Sequence, residues 1–281
     1  MVPNILHFVF GMAPDFGGKP FSLAHYLSVR SAVELNSPSA AWFHFEYEPS
    51  GEWWERARPL LNLNKVNAPE RIMGNELRHV AHKADVVRLR MLKETGGIYL
   101  DLDTISVKPF TDLLNTSFLI GQELRIPYSP KNIRQRIKYL VRKKTGLLKK
   151  TGSASTGLCN AVLFSEPNSE FLNLWLDSYS SFRSKGRDKY WNEHSVKVPE
   201  TLAARHPELL SIAGPYAFHY PLYDETGMKA MFEEVHAYPD AYLHHLWESF
   251  SWEKYLFGLS SDQILSRDST YNLLARKWLS V

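Results

Sequence analysis

The chain has 281 residues, 44% apolar and 13% aromatic, which excludes a disordered polymer and suffices for a sizeable core. Its one cysteine, Cys159, excludes a disulfide framework and a zinc site built from cysteines, and points to a reducing compartment. The formal charge of +3 is unevenly placed: ten of 33 basic residues fall between Arg125 and Lys150, and the other 23 face 30 acids in a mildly acidic body.

Ile5–Phe10 is an apolar run closed by Gly11 and reads as a first buried strand. It has no basic region before it and is too short for a signal peptide or a span. No later stretch approaches about 18 uninterrupted apolar residues, so we expect a soluble or peripheral cytoplasmic protein. Ser22–Leu35 has helical spacing, and Ala41–Tyr47 alternates as a second strand. His79–Thr95 is the clearest helix, stopped by Gly96-Gly97. Ile98–Asp101 follows as a central strand, with further strands at Ser117–Gln122 and Asn160–Ser165. Glu170–Lys185 and Glu193–Arg205 read as helices, and 261–281 as an amphipathic C-terminal helix ending near Leu279. Strands alternating with helices predict an α/β fold with a mostly parallel sheet, in one domain over 1–281 with a basic insertion at 125–157.

Three places carry chemistry. Asp101 and Asp103 stand two apart at the end of an apolar run. On a continuing strand both carboxylates would share one face, offering the hard oxygen ligands that Mg²⁺ or Mn²⁺ prefers. In the preceding helix Lys83, Arg90 and Glu94 fall in one solvent sector. Asp85 and Arg88 fall opposite, among Ala81, Leu89 and Leu92, either as a self-satisfied pair or facing a ligand groove. Far downstream, His244 and His245 adjoin an aromatic turn. On a strand only one of them can face a given site, and an imidazole beside two carboxylates completes a common Mn²⁺ shell.

His82-Lys83-Ala84-Asp85-Val86-Val87-Arg88, then Gly96 to Thr104 and Lys108-Pro109, resemble the glycosyltransferase family with a DxD sugar-binding motif. That family includes yeast initiating α-1,6-mannosyltransferases, α-1,4-galactosyltransferases and bacterial capsule and lipopolysaccharide enzymes. Ile5 to Phe10, Asn160 to Ser165, and His245-Leu246-Trp247 with Ser251-Trp252 resemble further blocks of it. The resemblance implies a GT-A fold and a retaining, metal-dependent hexosyl transfer from a nucleotide sugar, UDP-sugar favoured over GDP-sugar, to a glycan or lipid-linked saccharide. It implies Asp103 and His245 on Mn²⁺ or Mg²⁺, with Asp101 between metal and donor. Asp85, Arg88 and Tyr99 would bind the donor, His7, Phe8 and Val9 would line its nucleotide pocket, and Trp247, Ser251 and Trp252 would close a lid. Asn160 would face the transferred sugar in a front-face reaction, with Gln122 or Glu123 as supporting groups.

Two other readings fit parts of the pattern. Leu100 to Thr104 also matches the start of haloacid-dehalogenase-type phosphatases, with Asp101 as nucleophile, although no later acidic Mg²⁺ motif follows it. A non-catalytic membrane-surface protein on a GT-A-like body is the second. Residues 125–150 interleave apolar and basic side chains, a pattern suited to an anionic membrane surface; nucleic acid is not expected as a partner.

Overall fold

The computed structural model describes residues 1–125 and 156–279. Nearly all of the basic insertion, and with it the membrane-contact expectation, lies outside the described residues.

The strands are β1 (Ile5–Val9), β2 (Ala40–Phe45), β3 (Asn62–Lys65), β4 (Arg71–Ile72), β5 (Asn75–Glu76), β6 (Gly97–Leu100), β7 (Thr104–Ser106), β8 (Phe118–Leu124), β9 (Thr156–Ser165), β10 (Ser211–Ala213) and β11 (Leu243–His245). The helices are α1 (Leu23–Asn36), α2 (Glu52–Ala57), α3 (Val80–Thr95), α4 (Glu170–Asp177), α5 (Val198–Arg205), α6 (Pro215–Phe218), α7 (Glu225–Phe232), α8 (Glu248–Ser251), α9 (Ser261–Ser266) and α10 (Thr270–Ala275).

Seven strands form the central sheet in the order β10-β8-β9-β6-β1-β2-β3. β3, β2, β1 and β6 run parallel, as do β8 and β10, while β9 runs antiparallel to both its neighbours. The sheet is therefore mixed but mostly parallel. Alternation along each strand divides its side chains between two cores. Leu6, Phe8, Ile98, Leu100, Val162 and Phe164 pack with α1 on one face; Val9, Tyr99, Ile120 and Leu163 pack with α3 and α4 on the other. With both faces covered, the central strands read as continuous apolar runs.

The joint between α3 and β6 needs glycine. Gly97 sits at φ +111°, and a Cβ there would stand 2.6 Å from the Ile5 carbonyl oxygen.

Three expected elements differ in extent. The helix from Glu170 gives way at Ser178 to a 3₁₀ turn, where the hydroxyls of Ser178, Ser180 and Ser181 return to carbonyls three residues back. Glu193–Lys197 is a π-turn leading into α5, whose second residue is Pro199. The C-terminal helix is broken into α9, α10 and a 3₁₀ turn, because Arg267 is extended and Ser269 starts a new helix by accepting from Asn272 N–H.

Candidate active site

β6 ends at Leu100, so Asp101-Leu102-Asp103 form the turn into β7 rather than one continuing strand. The expected reason for their shared face is therefore corrected: a turn brings the carboxylates together. The Thr104 hydroxyl donates to the Asp101 carbonyl at 2.9 Å, and Leu246 N–H donates to the Asp103 carbonyl at 2.6 Å. β7 also pairs antiparallel with β11, setting His245 opposite Thr104. Strand parity then separates the two histidines. His245 Nε2 donates to Asp103 Oδ2 at 3.2 Å, while the His244 ring bonds the Tyr220 carbonyl at 2.8 Å.

On the helix side, Asp85 and Arg88 are both buried and both face the aspartates. The Arg88 guanidinium reaches Asp101 Oδ1 at 3.2 Å, Asp85 Oδ1 at 3.3 Å and the Asn160 carbonyl at 2.8 Å, with the Tyr99 ring centre 4.2 Å away. Asn160 Nδ2 donates to Asp85 at 2.8 Å, and the Tyr99 hydroxyl donates to Asp101 at 2.5 Å. One cation thus holds two carboxylates, and an amide and a phenol satisfy what remains. The pair is no self-contained i,i+3 bridge; it forms the floor of a cleft.

That cleft has a volume of about 320 Å³ and is lined by Asp85, Arg88, Asp101, Asp103, Asn160, His245 and Trp247. Its charge balance is unequal: Asp85, Asp101, Asp103 and Glu248 line it against Arg88 and the imidazoles of His82 and His245. Burial alone would push the Asp103 carboxyl up, but the His245 charge and bond and the Glu248 N–H hold it well below its usual range. Burial likewise disfavours His245 in its charged form, yet Asp103 lifts its affinity for a proton well above normal. Asp101 moves the other way, raised first by burial and then by Asp103 against the opposing charge of Arg88. Oxygens of Asp101 and Asp103 and a nitrogen of His245 lie within 4.8 Å of one another. Two hard oxygens, one imidazole and a negative surplus fit Mn²⁺ or Mg²⁺, and a cation there would take the place of the proton that His245 otherwise attracts.

The far wall is a strained turn. Trp247 is held at φ +54°, in the left-handed region, where a bulky residue costs about 1–3 kcal/mol. Its indole N–H donates to the Pro221 carbonyl, and the next residue's N–H donates to Asp103 Oδ2 at 2.7 Å. The Glu248 carboxylate is gripped by His25 and Lys19, each at 2.9 Å, which ties this turn to α1 and to the loop before it.

Other expected donor residues lie elsewhere. His7 does not line the cleft: its ring bonds His44 at 3.0 Å and the Gly96 carbonyl at 2.9 Å, toward the base of β6. Phe8 is fully buried in the α1-side core. Val9 borders an apolar pocket of about 130 Å³ that shares Ala81 with the cleft. Trp252 is buried beside His25, and Ser251 is buried without a hydroxyl partner among the described residues; neither lines the cleft. Neither Glu123 nor Gln122 is part of the cleft wall. Sequence reasoning missed Trp191, Ser195, Glu248, Ser249 and Phe250, which also line the wall; the one signal for the first two was a Trp in an otherwise polar stretch. Trp191 is anchored by its carbonyl, 3.0 Å from His82 Nε2.

The description "Glycosyltransferase sugar-binding region containing DXD motif" matches residues 38–119. Glucan organizing enzyme 1 of Cryptococcus neoformans var. grubii is 36% identical over 285 aligned residues, covering 99% of this chain and 71% of that protein. An uncharacterized glycosyltransferase, L373 of Acanthamoeba polyphaga mimivirus, is 31% identical over 120 residues, 42% of each chain. Among solved structures, the bifunctional glycosyltransferase WbbM superposes with a TM-score of 0.51 at 10% identity, covering 98% of this chain and 51% of that one. That likeness concerns the fold alone.

Proposed function

Because the chain belongs to the glycosyltransferase family marked by the DXD sugar-binding region, and has its GT-A fold, we propose that it is a retaining, metal-dependent hexosyltransferase using a nucleotide-sugar donor. The observation that carries this reading is the convergence of Asp101, Asp103 and His245 within 4.8 Å, beside the Asp85–Arg88 floor. Family membership displaces the phosphatase alternative. Asp101 is also poorly placed as a nucleophile, since one of its oxygens is held by Tyr99 and Arg88.

Asp103, Asp101 and His245 would hold Mn²⁺ or Mg²⁺, which supplies Lewis-acid neutralisation of the departing nucleoside diphosphate. Arg88 and Asp85 bind ribose and sugar hydroxyls, and Tyr99 holds Asp101 in register for them. The apolar pocket beside Val9 receives the base, for which UDP is favoured. The Trp247 turn covers the diphosphate, and Asn160, pinned to Asp85, faces the sugar. Every carboxylate lining the cleft already has a partner, which favours a front-face transfer over a covalent glycosyl-enzyme. The acceptor is a glycan or lipid-linked saccharide, a reading supported by a relative named for glucan organization.

The basic stretch 125–150, judged from its sequence alone, would meet an anionic acceptor or the inner face of a membrane. Co-sedimentation with anionic liposomes, with and without neutralised Arg142, Lys143 and Lys144, checks that contact. No helix among the described residues is long and apolar enough to cross a membrane.

The decisive experiment is a thermal-shift panel of UDP-, GDP- and CMP-sugars with and without Mn²⁺. Ligand binding to the native state raises stability as RT ln(1 + [L]/Kd), so a UDP-sugar with Mn²⁺ should stand out. No shift with any metal–nucleotide sugar would overturn the reading.

A further inference from the structure

A second donor cluster lies behind the aspartates. Cys159 on β9, His219 just after α6 and His245 on β11 each contribute an atom to a group within 4.8 Å of one another, and all three residues are buried. His219 is fully buried, and neither of its ring nitrogens has a hydrogen-bond partner among the described residues; Nδ1 of His245 lacks one too. Three bare nitrogens in one place are unusual, because each has given up water without a replacement.

The sheet explains how they meet. Gly121 and Cys159 are cross-strand partners on β8 and β9, so their side-chain directions share a face. Gly121 has no side chain, and the His219 ring occupies that space: a Cβ there would stand 2.7 Å from its Nε2. The imidazole is thereby laid beside the thiol. Glu123 follows two residues along β8, on the same face of the sheet.

We propose that Cys159, His219 and His245 form a zinc site behind the aspartates, drawing on the same imidazole ring as the cleft pair. One thiolate and two imidazoles, with water in the fourth position, make a set that suits Zn²⁺, whereas oxygen-rich sites suit Mg²⁺ and Mn²⁺. Binding releases the Cys159 S–H proton and the proton of His245 Nδ1 to solvent, while the unpartnered His219 ring nitrogens leave a lone pair to coordinate. Sulfur and nitrogen stand roughly 3.5 Å apart around tetrahedral zinc, so from a limit of 4.8 Å the cluster closes by at most about 1.3 Å. His245 is already oriented as a zinc ligand would be: its Nε2–H is on the Asp103 carboxylate, leaving Nδ1 for the ion. Nε2 then keeps its proton on Asp103, so while zinc is bound a cleft cation rests on Asp101 and Asp103 without this imidazole. Zinc here would tie β9, β11 and the residue after α6 together behind the aspartates.

Metal-free protein loaded with Co²⁺, with no nucleotide present, tests the assignment. The expected result is one equivalent of tetrahedral Co²⁺ with a thiolate-to-cobalt charge-transfer band. That band should vanish in Cys159→Ser, weaken in His219→Gln, persist in Asp101→Asn, and be bleached by Zn²⁺. Absence of the band in the parent protein, its survival in Cys159→Ser, or Co²⁺ bound through oxygen and nitrogen alone would overturn the proposal. Should circular dichroism show Cys159→Ser unfolded, X-ray absorption on the zinc-loaded parent decides instead: one sulfur neighbour is expected, and none refutes it.

Discussion

His245 Nε2 and Asp103 Oδ2 stand 3.2 Å apart although 142 positions separate them in the chain. This bond crosses the β7–β11 ribbon and makes one unit of the DxD turn and the C-terminal segment. Each partner sets the other's charge: Asp103 stays ionised well into acid, and His245 keeps a strong hold on a proton that a cation must displace.

Asp103→Ala removes one metal carboxylate while leaving the backbone bond to Leu246 in place. Two opposite charges about 4 Å apart at an effective dielectric near 20 attract by roughly 4 kcal/mol, about a thousandfold in rate if expressed at the transition state. Metal-dependent transfer should fall by about that factor with an unchanged circular dichroism spectrum. Near-normal turnover in this variant would remove the metal-site reading.

Arg88→Met should be a folding defect as well as a binding one. The side chain is buried against Asp85 and Asp101, and removing the single cation leaves both carboxylates uncompensated. The expected loss is about 3–5 kcal/mol, seen as a lower urea midpoint. Adding Asp85→Asn should recover part of it, because one of the stranded charges is then gone. A double variant no more stable than Arg88→Met would show that the two carboxylates are not what the arginine compensates.

A buried relay beneath β6 sets an acid limit. Asn64 Nδ2 donates to His44 Nδ1 at 2.9 Å, His44 donates to His7 at 3.0 Å, and His7 donates to the Gly96 carbonyl at 2.9 Å. Each ring uses one N–H and one lone pair, so both must be neutral. Burial lowers His7 from 6.5 to about 4, and burial with the neighbouring His7 lowers His44 to about 3. Protons therefore bind the unfolded chain more readily. The pair's contribution is complete above pH 6.5 and is lost as pH falls from there toward 4 and then 3. Urea unfolding between pH 7.5 and 4 should show this fall, and His44→Leu should flatten it. An equally steep slope in that variant would assign the effect to other groups.

Gly97→Ala and Gly258→Ala separate strain from collision. Both glycines have positive φ, +111° and +70°, so alanine costs about 1–3 kcal/mol of backbone strain at either. Only at Gly97 does the new methyl also meet the Ile5 carbonyl, at 2.6 Å, while nothing lies within 4 Å at Gly258. Differential scanning calorimetry should give the larger fall in Tm for Gly97→Ala. Equal falls would mean that the α3–β6 joint relaxes freely.

Much of the site was legible before the fold. Helical periodicity placed Asp85 and Arg88 on the buried face of α3, and strand parity separated His245 from His244. The parallel core strands were visible as unbroken apolar runs. The helix breaks at Ser178 and Ser269 were not, because apolar spacing continues through serines whose hydroxyls compete for the backbone. That His7 and Phe8 lie away from the cleft was hidden for a related reason: β1 is buried on both faces, so its residues gave no sign of which end of the strand meets the cleft.

Sequence alone determined which residue types could bear charge, bind a cation or stop a helix, since these follow from side-chain chemistry and from periodicities of two and 3.6. Tertiary structure alone decided who meets whom. The β7–β11 pairing carries His245 to Asp103, the antiparallel β9 carries Asn160 to Asp85 across 75 positions, and a missing side chain at Gly121 admits His219 beside Cys159. Such encounters depend on sheet order and on the space that packing leaves, quantities set by the whole chain at once.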